Sequence, residues 1–314
     1  MNLYDKFRIG PSRKKIDLAK ISSDEREHGF HDHEILEEQL AKNTKKLAEF
    51  QYKLYAENRQ SLLIVLQALD AGGKDGTINN VISVMNPQGC RSQSFKVPTP
   101  LEASHDFLWR EHCVAPHKGE VVVFNRSHYE DVLAGRIHGD VQGKKLKRHL
   151  EYINDFEKLL HDNNTVIVKF FLHISKDEQL KRFGERLDDP SKHWKISESD
   201  YKEREIWDDY MKAFSDVFNH CSTKYAPWFI SPSDNKKFRT LAVSETLLQT
   251  MEIMDPQIPP ATVDVEQIRK LYHQDFLQEK KGTPSKALKK EEAAKADKKE
   301  EKGRKDKKGG KAKR

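Results

Sequence analysis

A glycine-rich segment between an apolar run and a predicted helix carries the strongest chemical signal in this sequence. Residues 69–77 read LDAGGKDGT and follow the run SLLIVLQA at 61–68. Glycines let backbone N–H groups point at one anion, the helix N-terminus adds positive potential, and a lysine at its start can reach phosphoryl oxygens. The segment is therefore predicted to bind phosphate through Ala71, Gly72, Gly73, Lys74, Asp75, Gly76 and Thr77.

The match of this segment to the GxxxxGK[ST] pattern is imperfect. Ala68 stands at the first glycine of the pattern, and Asp75 stands at the Ser/Thr that binds magnesium. The alternative is a glycine-rich turn that only joins a strand to a helix. The carboxylate of Asp70 alone would repel a phosphate group, but a Mg²⁺ ion between the carboxylate and the phosphate makes the interaction attractive. Asp70 is therefore a candidate metal ligand. An aspartate that only caps a turn is the alternative for this residue.

A second apolar run, VVVF at 121–124, delivers polar residues at its end. Ligands of open α/β sheets bind at the carboxyl ends of the strands, so Asn125 and Arg126 are predicted to reach a ligand crevice, with Arg126 gripping phosphate oxygens. Asp131, six residues after Asn125, is predicted to supply the carboxylate that the strand end lacks and to complete a magnesium site with Asp70. The alternative is a solvated helix start, which suits Glu130 better than Asp131.

A third polar stretch, KRFGERLDDPSKHWK at 181–195, combines a helix face with a cationic loop. Arg182 and Arg186 share a helix face at i, i+4 spacing. Lys192 and Lys195 lie in the proline-containing loop that follows, a composition expected of a lid over transferring phosphates, here assigned to residues 182–200. A solvated charged surface is the alternative. A fourth stretch, SPSDNK at 231–236 with Arg239 behind it, follows the last predicted strand, where nucleoside kinases commonly place a base or a phosphate.

These residues require a scaffold in which strands and helices alternate. Continuous apolar runs predict strands that are buried on both faces, and the segments between them have helical periodicity. The pattern predicts an α/β fold, a doubly wound parallel sheet of five strands flanked by helices with right-handed crossovers. The strands are expected at 61–68, 90–97, 121–124, 165–174 and 228–231, and the helices at 34–58, 101–113, 146–162, 176–186, 199–219 and 237–254.

Charge divides the chain into a body and a tail. Residues 280–314 carry 16 Lys/Arg and 6 Asp/Glu, a net +10, whereas residues 1–279 carry 40 and 44, a net −4, within the total of +6. A polyanion bound by the body must therefore meet locally focused cations. Three domains are assigned: an N-terminal extension at 1–33, a phosphotransferase domain at 34–279, and a Lys-rich tail at 280–314 that is too polar to fold.

Cysteine usage and hydropathy favour a cytoplasmic protein. Cys90, Cys113 and Cys221 form no CxxC pair, and the N-terminus lacks the apolar core of a secretion signal, so a reducing compartment is expected. No apolar run approaches the roughly 20 residues that cross a bilayer. We therefore expect no interaction with a membrane.

Four blocks of the sequence, three of which contain polar stretches described above, together resemble the family-2 polyphosphate kinases, which are similar in fold to thymidylate kinase. The blocks are QALDAGGKDGTINN, NPQGCRSQSFKVPTPLEASHDFLWR, GEVVVFNRSHYEDVL and RFGERLDDPSKHWKIS, and the likeness runs from about residue 36 to about residue 256. The resemblance implies a P-loop kinase fold with a helical lid. It puts the family's loop Asp and Lys on Asp70 and Lys74 and its strand-end Arg on Arg126. The subgroup similar at Asn125 and Asp131 phosphorylates both AMP and ADP.

The resemblance and the residues together lead to one expected activity. The terminal phosphoryl of inorganic polyphosphate would pass reversibly to AMP and/or ADP, with Mg²⁺, or Mn²⁺ in its place, on Asp70 and Asp131. Lys74 and the loop amides would hold the phosphates, and the guanidinium groups of Arg126, Arg182 and Arg186 would surround the moving charge.

The expected ligands are polyphosphate, AMP, ADP and ATP. The protein is expected to form a homo-oligomer and to bind no specific nucleic acid. Two rivals stay open. One is an ATP-dependent nucleoside monophosphate kinase. The other is a protein that binds nucleic acid or another polyanion through its basic tail.

Overall fold

A mostly parallel sheet of six strands forms the centre of the protein. The computed structural model describes residues 2–10, 15–30 and 34–282. The strands are β1 (Arg8–Ile9), β2 (Ser61–Gln67), β3 (Cys90–Ser94), β4 (Val121–Asn125), β5 (Thr165–His173) and β6 (Trp228–Pro232). They lie in the order β1-β6-β5-β2-β4-β3, and every neighbouring pair is parallel except β1 with β6.

The predicted α/β fold is confirmed, but the predicted number of five strands is wrong. All five expected strands form and are mutually parallel, and β1 adds a sixth, antiparallel to β6. A strand of two residues is too short to show the alternation that identifies strands in a sequence. β1 lies in the segment assigned as an N-terminal extension, in which Leu3 and Leu18 are fully buried.

Helices cover both faces of the sheet, as the two halves of the core show. Leu63 and Val65 of β2 pack in one apolar cluster, whereas Leu62, Ile64 and Leu66 pack in a second. Because successive side chains of a strand point to opposite faces, the two clusters lie on opposite sides of the sheet. The helices are α1 (Leu3–Phe7), α2 (Glu34–Glu57), α3 (Lys74–Thr77), α4 (Pro100–Ala103), α5 (Trp109–Cys113), α6 (Glu130–Ile137), α7 (Gly143–Asp162), α8 (Lys176–Leu187), α9 (Glu198–Glu205), α10 (Trp207–Cys221), α11 (Lys236–Met254) and α12 (Val265–Gly282).

Two helices predicted as continuous are each divided in the structure. The helix expected at 101–113 separates into α4 and α5, because Ser104 Oγ donates to Leu101 O at 2.7 Å and Asp106 Oδ1 accepts from Leu108 N at 3.0 Å. Such local side-chain bonds compete with the helical pattern. The helix expected at 199–219 separates into α9 and α10 at Ile206, whose dihedral angles are φ −98° and ψ 26°.

The chain forms two compact units. The first spans Met1–Ile258 and contains the whole sheet, and the second begins at Pro259 and contains α12. Within the described ranges, we find no helix that combines the length and the apolar character needed to cross a membrane. From residue 283 onward, the predicted Lys-rich tail lies outside the described residues.

Candidate active site

The glycine-rich loop leaves β2 and turns directly into α3. Ala71 and Gly73 both have left-handed backbone angles, φ 58° and 103°, and only the glycine adopts them without strain. A Cβ atom at Gly72 would lie 2.6 Å from Ala68 Cβ and 2.9 Å from Leu69 O, so a side chain has no room there. The loop therefore makes the tight turn that a phosphate cradle needs.

Lys74 folds back over the loop that precedes it. Its Nζ donates to Ala68 O at 2.7 Å, and the side chain is half-buried. Burial lowers the pKa of Lys74, while the charge on Asp70 acts in the opposite direction. Thr77 is turned away from the loop mouth, because its Oγ1 donates to Gly73 O at 3.1 Å. An entering phosphate would compete with one carbonyl oxygen for the ammonium of Lys74.

Asp70 and Arg126 meet across the site from the ends of β2 and β4. Arg126 Nη2 lies 3.3 Å from Asp70 Oδ1, and Arg126 has the left-handed φ of 62°. Its backbone N donates to Leu66 O at 3.1 Å. Burial works against the charged guanidinium, but Glu130 and Asp70 hold the pKa of Arg126 above its ordinary value. The parallel register of β2 and β4 thus brings together two residues that are 56 positions apart.

Asn125 and Lys195 both contact Asp75 of the loop. Asn125 Nδ2 donates to Asp75 Oδ1 at 3.1 Å, and Lys195 Nζ lies 3.4 Å from Asp75 Oδ2. Partial burial raises the pKa of Asp75, but the bond from Asn125 and the charge of Lys195 outweigh it and lower the pKa overall. The segment assigned as a lid therefore touches the loop through Lys195. Lys192 instead pairs with Asp189 at 2.7 Å.

The donors of Arg182 are occupied by the protein itself. Its Nη1 donates to Ala71 O at 2.9 Å, its Nη2 donates to Ser233 O at 2.6 Å, and its Nε donates to Glu178 Oε1 at 2.9 Å. The side chain is buried and ties the loop to the end of β6. Arg186 Nη1 reaches Lys195 O and Asp200 Oδ2, each at 3.3 Å, and so holds the assigned lid segment.

Asp131 pairs with a histidine that the sequence reasoning did not select. Its Oδ2 is bonded to Nδ1 of His149, and the ring of His149 stacks on Phe107 with centroids 4.3 Å apart and planes 4° apart. Glu130, its neighbour in α6, interacts electrostatically with Lys74 and Arg126. No sequence signal connects Asp131 with His149, because the two lie on different helices.

The carboxylates of Asp70, Glu130 and Asp131 line one cleft of about 1270 Å³. In the described part of the chain, no three acidic, histidine or cysteine side chains are close enough to hold a metal ion by themselves. Magnesium usually takes one or two carboxylates and completes its shell with waters and substrate phosphates. The donor set of this cleft fits such a shared site.

Aromatic rings and a buried carboxyl group form the wall of the cleft. Phe107, His149, Tyr152 and Phe156 line it. Glu111 also lines it, with no exposed surface, Oε1 at 3.2 Å from Arg110 Nε, and Oε2 without a hydrogen-bond partner among the described residues. Burial raises the pKa of Glu111 to about 7 against the opposing charge of Arg110.

A buried ionic cluster fixes the segment that follows Arg126. Lys169 Nζ lies 2.6 Å from Glu157 Oε2 and donates to Tyr129 Oη at 2.8 Å and to Cys221 O at 2.6 Å. Tyr129 Oη in turn donates to Glu157 Oε1 at 2.8 Å. Lys169 and Glu157 have no exposed surface. Ser127 joins the segment to β2, since its Oγ accepts from Gln67 Nε2 at 3.1 Å.

Two further residues reach the site from α8 and α9. Gln179 Nε2 donates to Asp70 O at 2.9 Å. Asp200 lines the same cleft, and burial together with the charge on Asp70 raises its pKa. The sequence reasoning missed both, because a glutamine or aspartate inside a charged helical segment has no local pattern that separates it from a solvated residue.

Comparisons with known proteins agree with this geometry. The family model for Polyphosphate kinase 2 (PPK2) matches residues 31–259. The chain is 42% identical over 263 residues to the AMP/ADP-polyphosphate phosphotransferase of Meiothermus ruber, and the match covers 84% of this chain and 98% of the relative. It is 43% identical over 271 residues to the ADP-polyphosphate phosphotransferase of Rhodopseudomonas palustris, with 82% and 92% covered. The structure of polyphosphate kinase 2 from Arthrobacter aurescens TC1 matches with a TM-score of 0.83 and 41% identity, over 87% of this chain and 97% of that one.

The resemblance drawn from the four sequence blocks is thereby confirmed. The match includes the glycine-rich loop, the end of β4 and the α8 region, which are the parts that hold Asp70, Arg126 and Arg182. This chain belongs to the polyphosphate kinase 2 family.

Proposed function

We propose that this protein transfers the terminal phosphoryl group of inorganic polyphosphate to AMP and/or ADP, giving ADP and ATP, in a reversible reaction. The observation that carries the proposal is the phosphate loop with Lys74, set beside the Asp70–Arg126 pair at a cleft large enough for a nucleotide. The names of the relatives from Meiothermus ruber and Rhodopseudomonas palustris support polyphosphate and adenine nucleotides as substrates. The reaction class is that of a phosphotransferase.

Phosphoryl transfer needs in-line positioning and cations around the moving group more than covalent chemistry. In our proposal, Lys74 and the amides of residues 71–77 hold the phosphates at the reacting centre, with Asn125 keeping Asp75 in place. Arg126 stabilises the charge of the transferred group. The aromatic wall of the cleft offers ring faces on which a nucleobase can stack.

We also propose a metal site on two carboxylates of the cleft. Asp70 and Asp131 would hold Mg²⁺, with Mn²⁺ as the alternative, and the ion would neutralise charge on the phosphates. The bond from His149 would orient the carboxylate of Asp131, as partners of ligating carboxylates commonly do. Glu130 is the competing ligand, because it shares the cleft and interacts with Lys74.

The arginines of α8 are proposed to act mainly through the loop and the lid. Arg182 keeps the carbonyl of Ala71 in position, and Arg186 keeps Lys195 near Asp75. Residues 182–200 are proposed to close over the reacting groups and to exclude water, with Lys195 exchanging Asp75 for a phosphate oxygen. Lys192 would meet polyphosphate only if it released Asp189.

A donor–acceptor matrix tests the activity. Purified protein is given polyphosphate or ATP as donor and AMP, ADP, GMP or GDP as acceptor, with products separated by chromatography. We expect AMP and ADP to be phosphorylated when polyphosphate is the sole donor. Transfer from ATP alone would replace the proposal by the rival nucleoside monophosphate kinase. Salt-sensitive nucleic-acid binding without any transfer would favour the polyanion-binding rival.

The remaining expectations concern the setting of the enzyme. We propose a cytoplasmic homo-oligomer without specific nucleic-acid binding. The net charge of −4 over residues 1–279 supports the last of these points, because it disfavours a nucleic-acid surface on the body.

A further inference from the structure

A second arginine approaches the phosphate loop, from the first turn of α11. Arg239 is 4% exposed. Its guanidinium lies against the loop glycines, since a Cβ atom at Gly73 would be 2.0 Å from Nη1 and one at Gly76 would be 3.0 Å from Nη2. A side chain at Gly73 would displace the guanidinium, and one at Gly76 would crowd it.

Arg239 has no counter-charge in the described part of the chain. Its side chain makes neither a hydrogen bond nor an ion pair there, and its buried Nε has no partner. Burial lowers the pKa of Arg239 to about 10, and the nearby charge of Arg182 acts in the same direction. The two arginines thus differ sharply: the donors of Arg182 are used by the protein, and those of Arg239 are not.

A buried charge without a partner destabilises a protein, which is why buried charges are normally paired. The same fold pairs another buried cation, Lys169, with a carboxylate at 2.6 Å. An unpaired cation against the loop glycines is explained if an anion bound by the loop supplies the missing counter-charge. The loop is already suited to a phosphate by its turn and by Lys74.

We propose that Arg239 is a phosphate-site cation whose counter-charge is the oligophosphate bound at the glycine-rich loop. This inference rests on the proposed function, which supplies the anion. In this proposal the charge that attracts the bound phosphate from behind the loop is that of Arg239 and not that of Arg182. The unpaired charge of Arg239 lowers the stability of the ligand-free protein and raises its affinity for the oligophosphate.

The test replaces each arginine by methionine, which keeps the length of the stem and removes the charge. The free energy of unfolding without ligand is measured by urea denaturation, and binding of tripolyphosphate is measured by calorimetry. For Arg239→Met we expect ligand-free stability equal to or above that of the wild type, with tripolyphosphate affinity lower by about tenfold or more, the usual worth of a charge-assisted contact. Arg239→Lys should bind more tightly than Arg239→Met.

Arg182→Met is the matched control and should lower ligand-free stability, because it leaves the carbonyls of Ala71 and Ser233 without donors. An Arg239→Met protein that is destabilised or unfolded would overturn the inference, since its charge would then be compensated within the protein. Unchanged tripolyphosphate affinity in that variant would overturn it as well. The proposed function fails separately, if wild-type protein binds tripolyphosphate but transfers no phosphoryl group to AMP or ADP.

Discussion

Replacing Lys169 by methionine should destabilise the protein severely, although Lys169 has no proposed contact with a substrate. The ammonium donates to Glu157, Tyr129 and Cys221 O, which uses its three protons. Methionine fills a similar volume but removes the ammonium, so the buried carboxylate of Glu157 keeps only Tyr129 Oη and the His128 ring, whose pKa is lowered by burial, as partners. Breaking a fully buried pair in this way typically costs about 3–5 kcal/mol, a large part of the roughly 5–15 kcal/mol that stabilises a typical domain.

Urea denaturation followed by far-ultraviolet circular dichroism measures the loss as a change in the free energy of unfolding. The second variant, Glu157→Gln in the Lys169→Met background, removes the isolated charge and should recover at least half of the loss. Lys158→Met is the control, because Lys158 follows Glu157 on α7. Its pair with Asp162 at 2.7 Å is about half exposed, so it should change stability by no more than about 1 kcal/mol. A Lys169→Met loss below about 1 kcal/mol would refute the reasoning, as would a double variant less stable than the single one.

Three further predictions concern the site. The pKa of Glu111 is about 7 in the folded chain against an ordinary 4.5, so folding favours its protonated form. The free energy of unfolding should therefore fall as pH rises from about 4.5 to 7. Glu111→Gln should make that fall smaller, as measured by urea denaturation at each pH. Lys74→Ala should reduce turnover by orders of magnitude with little change in stability, and retention of a tenth of the activity would exclude the cradle role. Asp131→Asn should raise the Mg²⁺ concentration for half-maximal rate more than Glu130→Gln does; the reverse order would move the metal ligand to Glu130.

The parts of the fold that the sequence predicts are those with a local physical signature. The run at 62–66 is apolar throughout because β2 is buried on both faces, and the glycines at 72 and 73 mark a loop that leaves no room for a Cβ atom. β1 has only two residues and no such signature. The breaks at Asp106 and Ile206 depend on local hydrogen bonding and backbone angles that helical periodicity does not register.

Pairing between distant side chains was not predictable in the same way. The segment order placed Asp70 and Arg126 at the same edge of the sheet, because parallel strands end together, and they do meet at 3.3 Å. The bond between Asp131 and His149 and the engagement of Arg182 by the carbonyl of Ala71 depend on how helices pack across the sheet edge. Spacing along the chain carries no information on those contacts.

The N-terminal segment has a consequence for how this chain is synthesised. Ile9 pairs with Trp228, Ser222 Oγ donates to Ile9 O at 2.6 Å, and Leu18 N donates to Ser215 Oγ at 2.9 Å. Ile9 therefore leaves the ribosome more than two hundred positions before the serine hydroxyl that binds it. Until β6 emerges, β5 lacks a neighbour on one side, and β6 gains its own second neighbour only when β1 is added. Completion of the sheet is thus a late event, and β1, which precedes the other five strands along the chain, is the last of them to find its partner.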